Sequence, residues 1–243
     1  MPGAFHMPPR RVGILGGMGP EATILLQKKL LAAVRAEDDG GHIPLFIDMN
    51  PQVPSRIERL LHGRGEDPAP VLADMARRLE GAGAEALAMP CNTAHHYAPA
   101  ITGAVSVPFL NMVELSADRA VQAPEAGGPV GVLASPAVRL TGLFDEALAR
   151  RGLRALWPQD EEAMLGAIRR IKAEGTCRPA RDVLHRASDE LAGRGAAFQL
   201  IACSEFSLIA DSIAPQVQAV DTLDVLVGAI VDFSLGASPS EHV

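Results

Sequence analysis

Two cysteines stand at matching places in the sequence, each at the end of an apolar stretch of strand length. Cys91 follows an apolar run that ends at Pro90, and Cys203 follows an apolar run that begins at Phe198. Polar residues follow each thiol at once, Asn92 and Thr93 after the first, Ser204 and Glu205 after the second. In open parallel sheets, ligands bind at the edge formed by the carboxyl ends of the strands. The sequence therefore predicts two thiols at such an edge, each where a helix begins.

A single cysteine after a strand is most often a buried and inert side chain. Two cysteines at the starts of predicted helices are different, because the helix dipole and free amides lower the pKa of a thiol. If the two halves of the chain face each other across a cleft, the sulfurs of Cys91 and Cys203 lie on opposite sides of a bound substrate. A base on one face of a carbon and an acid on the other perform racemisation or epimerisation. The third cysteine, Cys177, has no such counterpart, and we expect it to be structural.

The first half of the chain must hold Cys91 on a sheet. Its opening stretch, 12–20, runs from apolar residues into Gly16, Gly17 and Gly19 and then Pro20, which is typical of a strand followed by the first turn of a helix. Amides at such a turn bind anions. The spacing is not the G-x-G-x-x-G of dinucleotide-binding proteins, so the turn suits a small carboxylate better than a nucleotide.

Strands and helices alternate after this turn. The pattern predicts strands over 44–49 and 107–110 and helices over 22–35, 70–81, 96–101 and 114–121. Pro51 and Pro54 predict an irregular loop that ends at Arg56. Residues 60–70, rich in glycine, proline and charge, predict a long surface loop.

The second half of the chain repeats the first. The stretch 129–136 resembles the opening stretch 11–18, and Cys203 follows it at nearly the same distance as Cys91 follows the opening. This offset indicates an internal duplication. Helices are predicted over 141–151, 160–174, 180–193, 206–213 and 223–235, with a strand ending near 220–221 and a boundary within the Pro/Gly-rich segment 123–129. The alternation predicts a parallel sheet in each half, with helices on both faces.

Composition excludes several classes of protein. The 243 residues carry a net charge of −7, and they show no basic stripe with interleaved aromatics, which argues against nucleic-acid binding. No apolar run reaches the roughly 20 residues that a membrane helix needs, so we expect no membrane partner. Residues 1–11 are expected to be a flexible lead-in rather than a signal peptide. Three cysteines without CxxC or metal-ligand spacing predict a reducing, cytoplasmic location and no metal site.

Five motifs together resemble one known family. They are Gly16-Gly-Met-Gly-Pro, Asn50-Pro-Gln-Val-Pro-Ser-Arg, Gly65-Glu-Asp-Pro, Met89-Pro-Cys-Asn-Thr-Ala-His and Ala202-Cys-Ser-Glu. Their combination resembles the aspartate/glutamate racemases, and within them the aspartate racemases that need no pyridoxal phosphate. The resemblance runs from about Val12 to Ile230.

The resemblance implies two similar Rossmann-like α/β domains with the active site in the cleft between them, and a homodimer. We expect residues 12–113 with 222–243 to form the first domain and residues 114–221 to form the second. It implies no cofactor, an acidic amino acid as substrate, and Cys91 and Cys203 as the two acid/base residues. The expected substrate-binding residues are Met18, Asn50, Arg56, Asn92, Thr93, Ser135, Lys172, Ser204 and Glu205.

By the same resemblance, Asn92, Thr93 and Ser204 bind the α-carboxylate through amides and hydroxyls. Arg56 meets the side-chain carboxylate with the assistance of Lys172. This is consistent with the residue types, because arginine binds carboxylates in a bidentate manner. The alternatives are a solvated loop charge for Arg56 and a surface helix charge for Lys172.

For two further residues, the sequence leaves two possible roles open. Glu205 orients the site or only caps its helix, and His95 tunes the thiol of Cys91 or only packs against its helix. The chain also departs from the usual family motifs at three places. It has Ala202-Cys203-Ser204-Glu205 where Gly-Cys-Thr-Glu is common, Ala134-Ser135-Pro136 in the second glycine/threonine turn, and Ser55 where an acidic residue is usual before the arginine. These departures leave side-chain specificity open.

The sequence thus predicts a cofactor-independent racemase that interconverts L- and D-aspartate. Within the enzymes, the alternatives are a broad-specificity or glutamate racemase and a thiol-dependent decarboxylase or cis-trans isomerase of the same superfamily fold. Retention of both thiols favours racemisation over the last two. A non-catalytic dicarboxylate-binding protein is the alternative from another class, and paired reactive thiols argue against it.

Overall fold

The computed structural model describes residues 8–123 and 128–236 and contains two parallel four-stranded sheets. The first sheet has the order β2-β1-β3-β4. Its strands are β1 (Val12–Gly16), β2 (Leu45–Met49), β3 (Ala86–Ala88) and β4 (Phe109–Leu110). Every residue of β1 and β3 is buried, as expected for central strands that are covered on both faces.

Five helices belong to this part of the chain. They are α1 (Pro20–Ala33), α2 (Arg56–His62), α3 (Pro68–Gly81), α4 (Ala98–Thr102) and α5 (Met112–Val121), with 3-10 turns at Asp39–Gly41 and Thr93–Tyr97. Helix α1 begins with Pro20 directly after the glycine turn, as the sequence predicts. A β-carbon added at Gly17, where φ is +89°, would lie 2.4 Å from the backbone carbon of Asn50, so the turn requires glycine there.

The second sheet repeats the first, with the order β6-β5-β7-β8. Its strands are β5 (Val130–Leu133), β6 (Ala155–Leu156), β7 (Phe198–Ile201) and β8 (Gln218–Asp221). The flanking helices are α6 (Pro136–Leu140), α7 (Leu143–Ala149), α8 (Glu161–Glu174), α9 (Arg178–Gly193), α10 (Ser204–Ser207) and α11 (Thr222–Leu235), with a 3-10 turn at Ala210–Ser212. The two sheets share one strand order, which confirms the predicted fold class of two similar α/β units.

The last helix returns to the first sheet. Leu223, Leu226 and Ile230 of α11 pack in one apolar cluster with Val12 and Ile14 of β1. This contact supports the division that we propose, in which residues 222–243 join 12–113 and residues 114–221 form the second domain. Residues 124–127 of the expected boundary and residues 237–243 lie outside the described residues.

The structure differs from the sequence predictions at several elements. Part of the expected loop 60–70 is helical, because α2 extends to His62. Ser55 caps this helix by accepting a hydrogen bond of 3.2 Å from the amide of Glu58, and the Ser-x-x-Glu spacing was a capping signal that the prediction overlooked. Strand β6 was also missed, since it has only two residues. The helix expected directly after Cys91 is a 3-10 turn followed by the short α4.

The expected flexible lead-in is only partly described. Residues 1–7 lie outside the described residues, whereas Arg10 and Arg11 are held in place. The amide of Arg10 donates to the carbonyl of Ser234 at 2.9 Å, and the amide of Arg11 donates to the carboxylate of Glu85 at 2.9 Å. Within the described ranges, no helix is long and apolar enough to cross a membrane.

Candidate active site

A small cavity lies between the two sheets and receives residues from both halves of the chain. Its volume is about 50 Å³. The first half contributes Met18, Ser55, Arg56, Ile57, Cys91 and Thr93, and the second half contributes Ser135, Ile168, Lys172, Cys203 and Glu205. Both thiols predicted to react therefore line one cavity from opposite sides of the domain boundary that we propose.

Strand ends place the lining residues in two equivalent pairs. Met18 follows β1 and Ser135 follows its counterpart β5, while Cys91 follows β3 and Cys203 follows its counterpart β7. The carboxyl ends of parallel strands meet at the same edge of a sheet, and here the two edges face each other. The duplication thus brings two thiols, 112 positions apart in the sequence, to one site.

Cys203 belongs to a hydrogen-bonded group of three side chains. Its thiol donates to Glu205 Oε2 at 3.0 Å, and Lys172 Nζ lies 3.1 Å from Glu205 Oε1. Cys203 and Glu205 are buried, whereas 41% of the Lys172 side chain is exposed. The carboxylate therefore orients the thiol on one side and holds the ammonium group on the other, which goes beyond the capping role considered for Glu205.

The pKa of Cys203 opposes the expectation of an acidic thiol. Burial raises this pKa well above the ordinary thiol value, and the negative charge of Glu205 raises it further, while Lys172 lowers it. The expected help from a helix dipole is small, because α10 has only four residues. For Lys172, burial alone lowers the pKa, but the Glu205 carboxylate and the two thiols raise it overall. Cys203 is therefore protonated at neutral pH in this arrangement.

Cys91 is held through its backbone rather than through its thiol. Its carbonyl lies 2.8 Å from His95 Nδ1, and His95 Nε2 accepts a hydrogen bond of 3.0 Å from the amide of Met112. Since Nε2 is an acceptor, Nδ1 carries the proton and donates to Cys91. Burial lowers the pKa of His95 to about 4, partly offset by the bond to Cys91, so the ring is neutral. Of the two interpretations, the structure favours a packed, neutral histidine that fixes the backbone beside the thiol.

Arg56 is the first residue of α2 and lines the cavity. Its Nη1 donates to the carbonyls of Val53 and Pro54 at 3.1 and 3.0 Å. One arm of the guanidinium group thus holds the loop before α2. The donors on Nη2 and Nε have no partner among the described residues, so they are available for a carboxylate.

The glycine turn lies beside Glu205. A β-carbon built at Gly19 would lie 3.8 Å from Glu205 Oε1, so this carboxylate sits against the first turn of α1, where the helix dipole favours negative charge. The amide of Gly17 already donates to the hydroxyl of Thr23 at 3.0 Å. The turn was expected to bind a substrate carboxylate; in this structure the Glu205 carboxylate lies beside it, and binding of a substrate there stays a prediction.

Three expected substrate-binding residues do not line the cavity. Asn50 accepts the amide of Gln52 at 3.0 Å within its own loop, and Ser204 is buried at the start of α10. Asn92 is 2% exposed and donates from Nδ2 to the hydroxyl of Thr222 at 3.0 Å. Their roles in binding remain predictions.

Three lining residues were not anticipated as binding residues, namely Ser55, Ile57 and Ile168. Ser55 and Ile57 flank Arg56 in the sequence, so the neighbours of a predicted binding residue were the available signal. Ile168 lies one helical turn before Lys172 on α8, a spacing that puts both side chains on one helix face. Cys177 precedes α9 and packs against an apolar cluster that also contains Ile168 and Cys203, but it does not itself line the cavity. Within residues 8–123 and 128–236, no group of three His, Cys, Asp or Glu residues could hold a metal ion.

Comparison with known proteins assigns the family. Residues 15–230 match the family described as Asp/Glu/Hydantoin racemase. The chain is similar to the broad specificity amino-acid racemase RacX of Bacillus subtilis (strain 168), with 24% identity over 219 residues that cover 87% of this chain and 92% of the relative.

Solved structures of racemases have the same fold. The Picrophilus torridus aspartate racemase superposes with a TM-score of 0.81 at 26% identity, over 92% of this chain and 93% of that one. A glutamate racemase from Francisella tularensis superposes with a TM-score of 0.65 at 16% identity, over 93% and 81% of the two chains. Since the family match spans most of the sequence and the site lies between two matching sheets, the chain is a racemase, an isomerase of the Asp/Glu/hydantoin racemase family.

Proposed function

We propose that this racemase interconverts L- and D-aspartate without a cofactor, with Cys91 and Cys203 as the two acid/base residues. The observation that carries the proposal is the position of both thiols in the lining of one cavity between the two halves of the chain. An α-carbon bound between them would meet one sulfur on each face. A two-base racemase requires this arrangement.

The protonation state of Cys203 suggests how one direction of the reaction begins. Cys203 holds its proton against Glu205, so in a cycle that begins from this state Cys203 is the acid and Cys91 is the base. Cys91 takes the α-proton, and the electron pair of the C–H bond stays on the α-carbon. Cys203 then gives its proton to the opposite face, and the new enantiomer leaves Cys91 as a thiol and Cys203 as a thiolate. The reverse direction begins from that second state.

The carbanion needs stabilisation by charges that are already in place. Arg56 and Lys172 supply positive charge in the lining, and a carboxylate held by them would spread the negative charge of the carbanion away from the α-carbon. The cavity of about 50 Å³ has room for only a few water molecules. Substrate entry therefore requires the cleft to open, and its closure would exclude water during proton transfer.

The lining also supports an acidic substrate. It contains two cations, Arg56 and Lys172, against one carboxylate, Glu205. An excess of positive charge suits a substrate with two carboxylates and one ammonium group. The similarity to the Picrophilus torridus aspartate racemase agrees with this choice.

A broad-specificity racemase is the second candidate. Met18, Ile57 and Ile168 give the lining an apolar part that would accept an uncharged side chain. The similarity to a broad specificity amino-acid racemase points in the same direction. The two candidates share the thiol chemistry and differ only in the side chain that the site accepts.

We also propose that the enzyme is a cytoplasmic homodimer whose partner is a free amino acid rather than a nucleic acid or a membrane. The odd number of cysteines, the net charge of −7 and the family resemblance support this view. Light scattering on the purified protein measures the oligomeric state directly.

The test is racemisation of a panel of amino acids by the purified protein without added cofactor, followed by chiral chromatography. We expect aspartate to be converted fastest from either enantiomer, and C91S and C203S to lose the activity. C177S is the matched control, because Cys177 is a thiol that does not line the cavity, and it should retain wild-type activity. Equal rates for neutral and acidic amino acids would select the broad-specificity candidate. No conversion of any amino acid would refute the proposal.

A further inference from the structure

We propose that Thr222 is a positioning residue that fixes the two thiols relative to each other. The proposal rests on the two-thiol function argued above and adds a residue that lies outside the cavity. Thr222 is the first residue of α11, and its hydroxyl bonds to both segments that carry the thiols.

The hydroxyl acts as acceptor and donor at once. Asn92 Nδ2 donates to Thr222 Oγ1 at 3.0 Å, and Thr222 Oγ1 donates to the carbonyl of Ile201 at 3.0 Å. Asn92 directly follows Cys91, and Ile201 stands two residues before Cys203. One hydroxyl therefore connects the strand end of the first sheet to the strand end of the second.

Burial makes this connection specific. Asn92 is 2% exposed and Thr222 is 1% exposed, so water does not replace either bond. A buried polar group without its partner is unfavourable, which disfavours arrangements that pull the two segments apart. The amide oxygen of Asn92 has no partner among the described residues, so the bond to Thr222 is what holds this side chain.

Thr222 is itself fixed by its neighbours. Asp221 caps α11, since its Oδ1 accepts the amide of Leu223 at 2.9 Å and the hydroxyl of Ser207 at 2.8 Å. Ser207 belongs to α10, which begins directly after Cys203. Threonine is branched at its β-carbon and prefers few side-chain rotamers, so its hydroxyl stays where the helix start places it. The start of α11 is thus anchored to the Cys203 segment a second time.

This arrangement has a consequence for catalysis. Two-base racemisation needs both sulfurs in line with one α-carbon, and a displacement of about 1 Å in a reacting group can lower a rate by roughly 100-fold. If Thr222 sets the distance between the two sulfurs, loss of its hydroxyl should disturb proton delivery to the far face of the α-carbon more than removal of the α-proton. The carbanion would then more often take up a solvent-derived proton on the same face from which its α-proton was removed.

The test compares T222V, which has the same shape without the hydroxyl, with T222S, which keeps it. In D₂O, the measured quantity is deuterium in the recovered substrate relative to deuterium in the inverted product. We expect T222V to lower the rate of inversion roughly 10- to 100-fold and to raise this ratio severalfold, and T222S to restore both. S234A removes another buried hydroxyl of the same helix, bonded to the carbonyl of Arg10, and should change neither quantity.

Two further measurements keep the outcome decisive. N92A breaks the same connection from its other end, so it should raise the ratio as T222V does, even if T222V fails to fold. Crystal structures of wild type and T222V give the separation of the two sulfurs without any need for activity, and we expect it to change. A wild-type ratio and rate in T222V and N92A, with an unchanged sulfur separation, would overturn the proposal. A wild-type enzyme that inverts no amino acid would instead refute the proposed function.

Discussion

The thiol of Cys203 donates a hydrogen bond of 3.0 Å to the carboxylate of Glu205, only two residues further along the chain. Lys172, from the neighbouring helix α8, completes the group at 3.1 Å from the other carboxylate oxygen. The thiol therefore titrates beside one negative and one positive charge. Removal of the negative charge and removal of the positive charge should shift the pKa of Cys203 in opposite directions. The reactivity of the thiol measures these shifts.

We expect E205Q to lower the pKa of Cys203, because the carboxylate raises it. We expect K172M to raise the same pKa, because the ammonium group lowers it. The measurement is the rate of alkylation by iodoacetamide as a function of pH, in a background that lacks Cys91 and Cys177. At pH 7, alkylation should be severalfold faster in E205Q and slower in K172M than in the parent, since only the thiolate reacts.

The control for this pair is E162Q, on the first turn of the same helix α8 and outside the cavity lining. It should leave the alkylation profile unchanged. If E205Q and K172M shift the profile in the same direction, or not at all, the three side chains do not act as a group.

His95 should make stability depend on pH. Its pKa is about 4 in the folded protein and near 6.5 in an unfolded chain, so between these values the unfolded chain binds a proton that the folded chain does not. The contribution of neutral His95 to the free energy of unfolding is thus fully present above about pH 6.5. It is lost as the pH falls towards 4, by up to about 3 kcal/mol. Urea unfolding of wild type and H95Q at several pH values measures the effect.

Asp221 affects the pH dependence of stability in the opposite direction from His95. Burial, partly offset by its hydrogen bonds to Leu223 and Ser207, raises its pKa to about 6, so the folded state binds this proton more readily than the unfolded state as the pH falls. In wild type, the free energy of unfolding would therefore change less steeply with pH than His95 alone predicts. The comparison with H95Q isolates the histidine, and equal slopes in both proteins would contradict the assignment of a neutral, buried ring.

Arg56 should determine affinity for the acidic substrate. R56K keeps the charge but loses the forked geometry that holds the loop carbonyls of Val53 and Pro54 and still leaves donors for a carboxylate. We expect KM for aspartate to rise roughly 10- to 100-fold with a smaller change in kcat, because hydrogen bonds to charged groups contribute about 1.5–3 kcal/mol.

Steady-state kinetics with aspartate and with a neutral amino acid measure this effect. The control is R59K, one turn further along α2, where the exposed guanidinium group donates to the carbonyl of Gly65 at 3.4 Å and does not line the cavity. An equal rise in KM for both substrates would show that Arg56 supports the loop and does not bind the side-chain carboxylate.

The parts of the fold that depend on local pattern could be predicted from the sequence. The buried strands before Cys91 and Cys203 are apolar runs of strand length, and the rule for parallel sheets brings their ends to a ligand-binding edge. The duplication then places both thiols in one cavity. Helix α2 carried a capping signal at Ser55 and Glu58 that was overlooked, whereas β6 has too few residues to show a pattern.

The electrostatics and the side-chain directions could not be predicted in the same way. The raised pKa of Cys203 depends on burial and on how closely Glu205 approaches, which spacing alone does not define. Asn92 bonds to Thr222, a residue 130 positions away, so nothing near Asn92 in the sequence indicates that its side chain turns away from the cavity. Such contacts arise only when the last helix returns to the first sheet.

The most direct test of the central claim follows exchange of the α-proton of L- and D-aspartate in D₂O with C91S and C203S. If each thiol serves one face of the α-carbon, wild type should exchange and invert both enantiomers. Each variant should lose inversion and retain exchange of only one enantiomer, and the two variants should retain opposite ones. If either variant still inverts aspartate, or if both exchange the same enantiomer, Cys91 and Cys203 are not the two bases on opposite faces of the substrate.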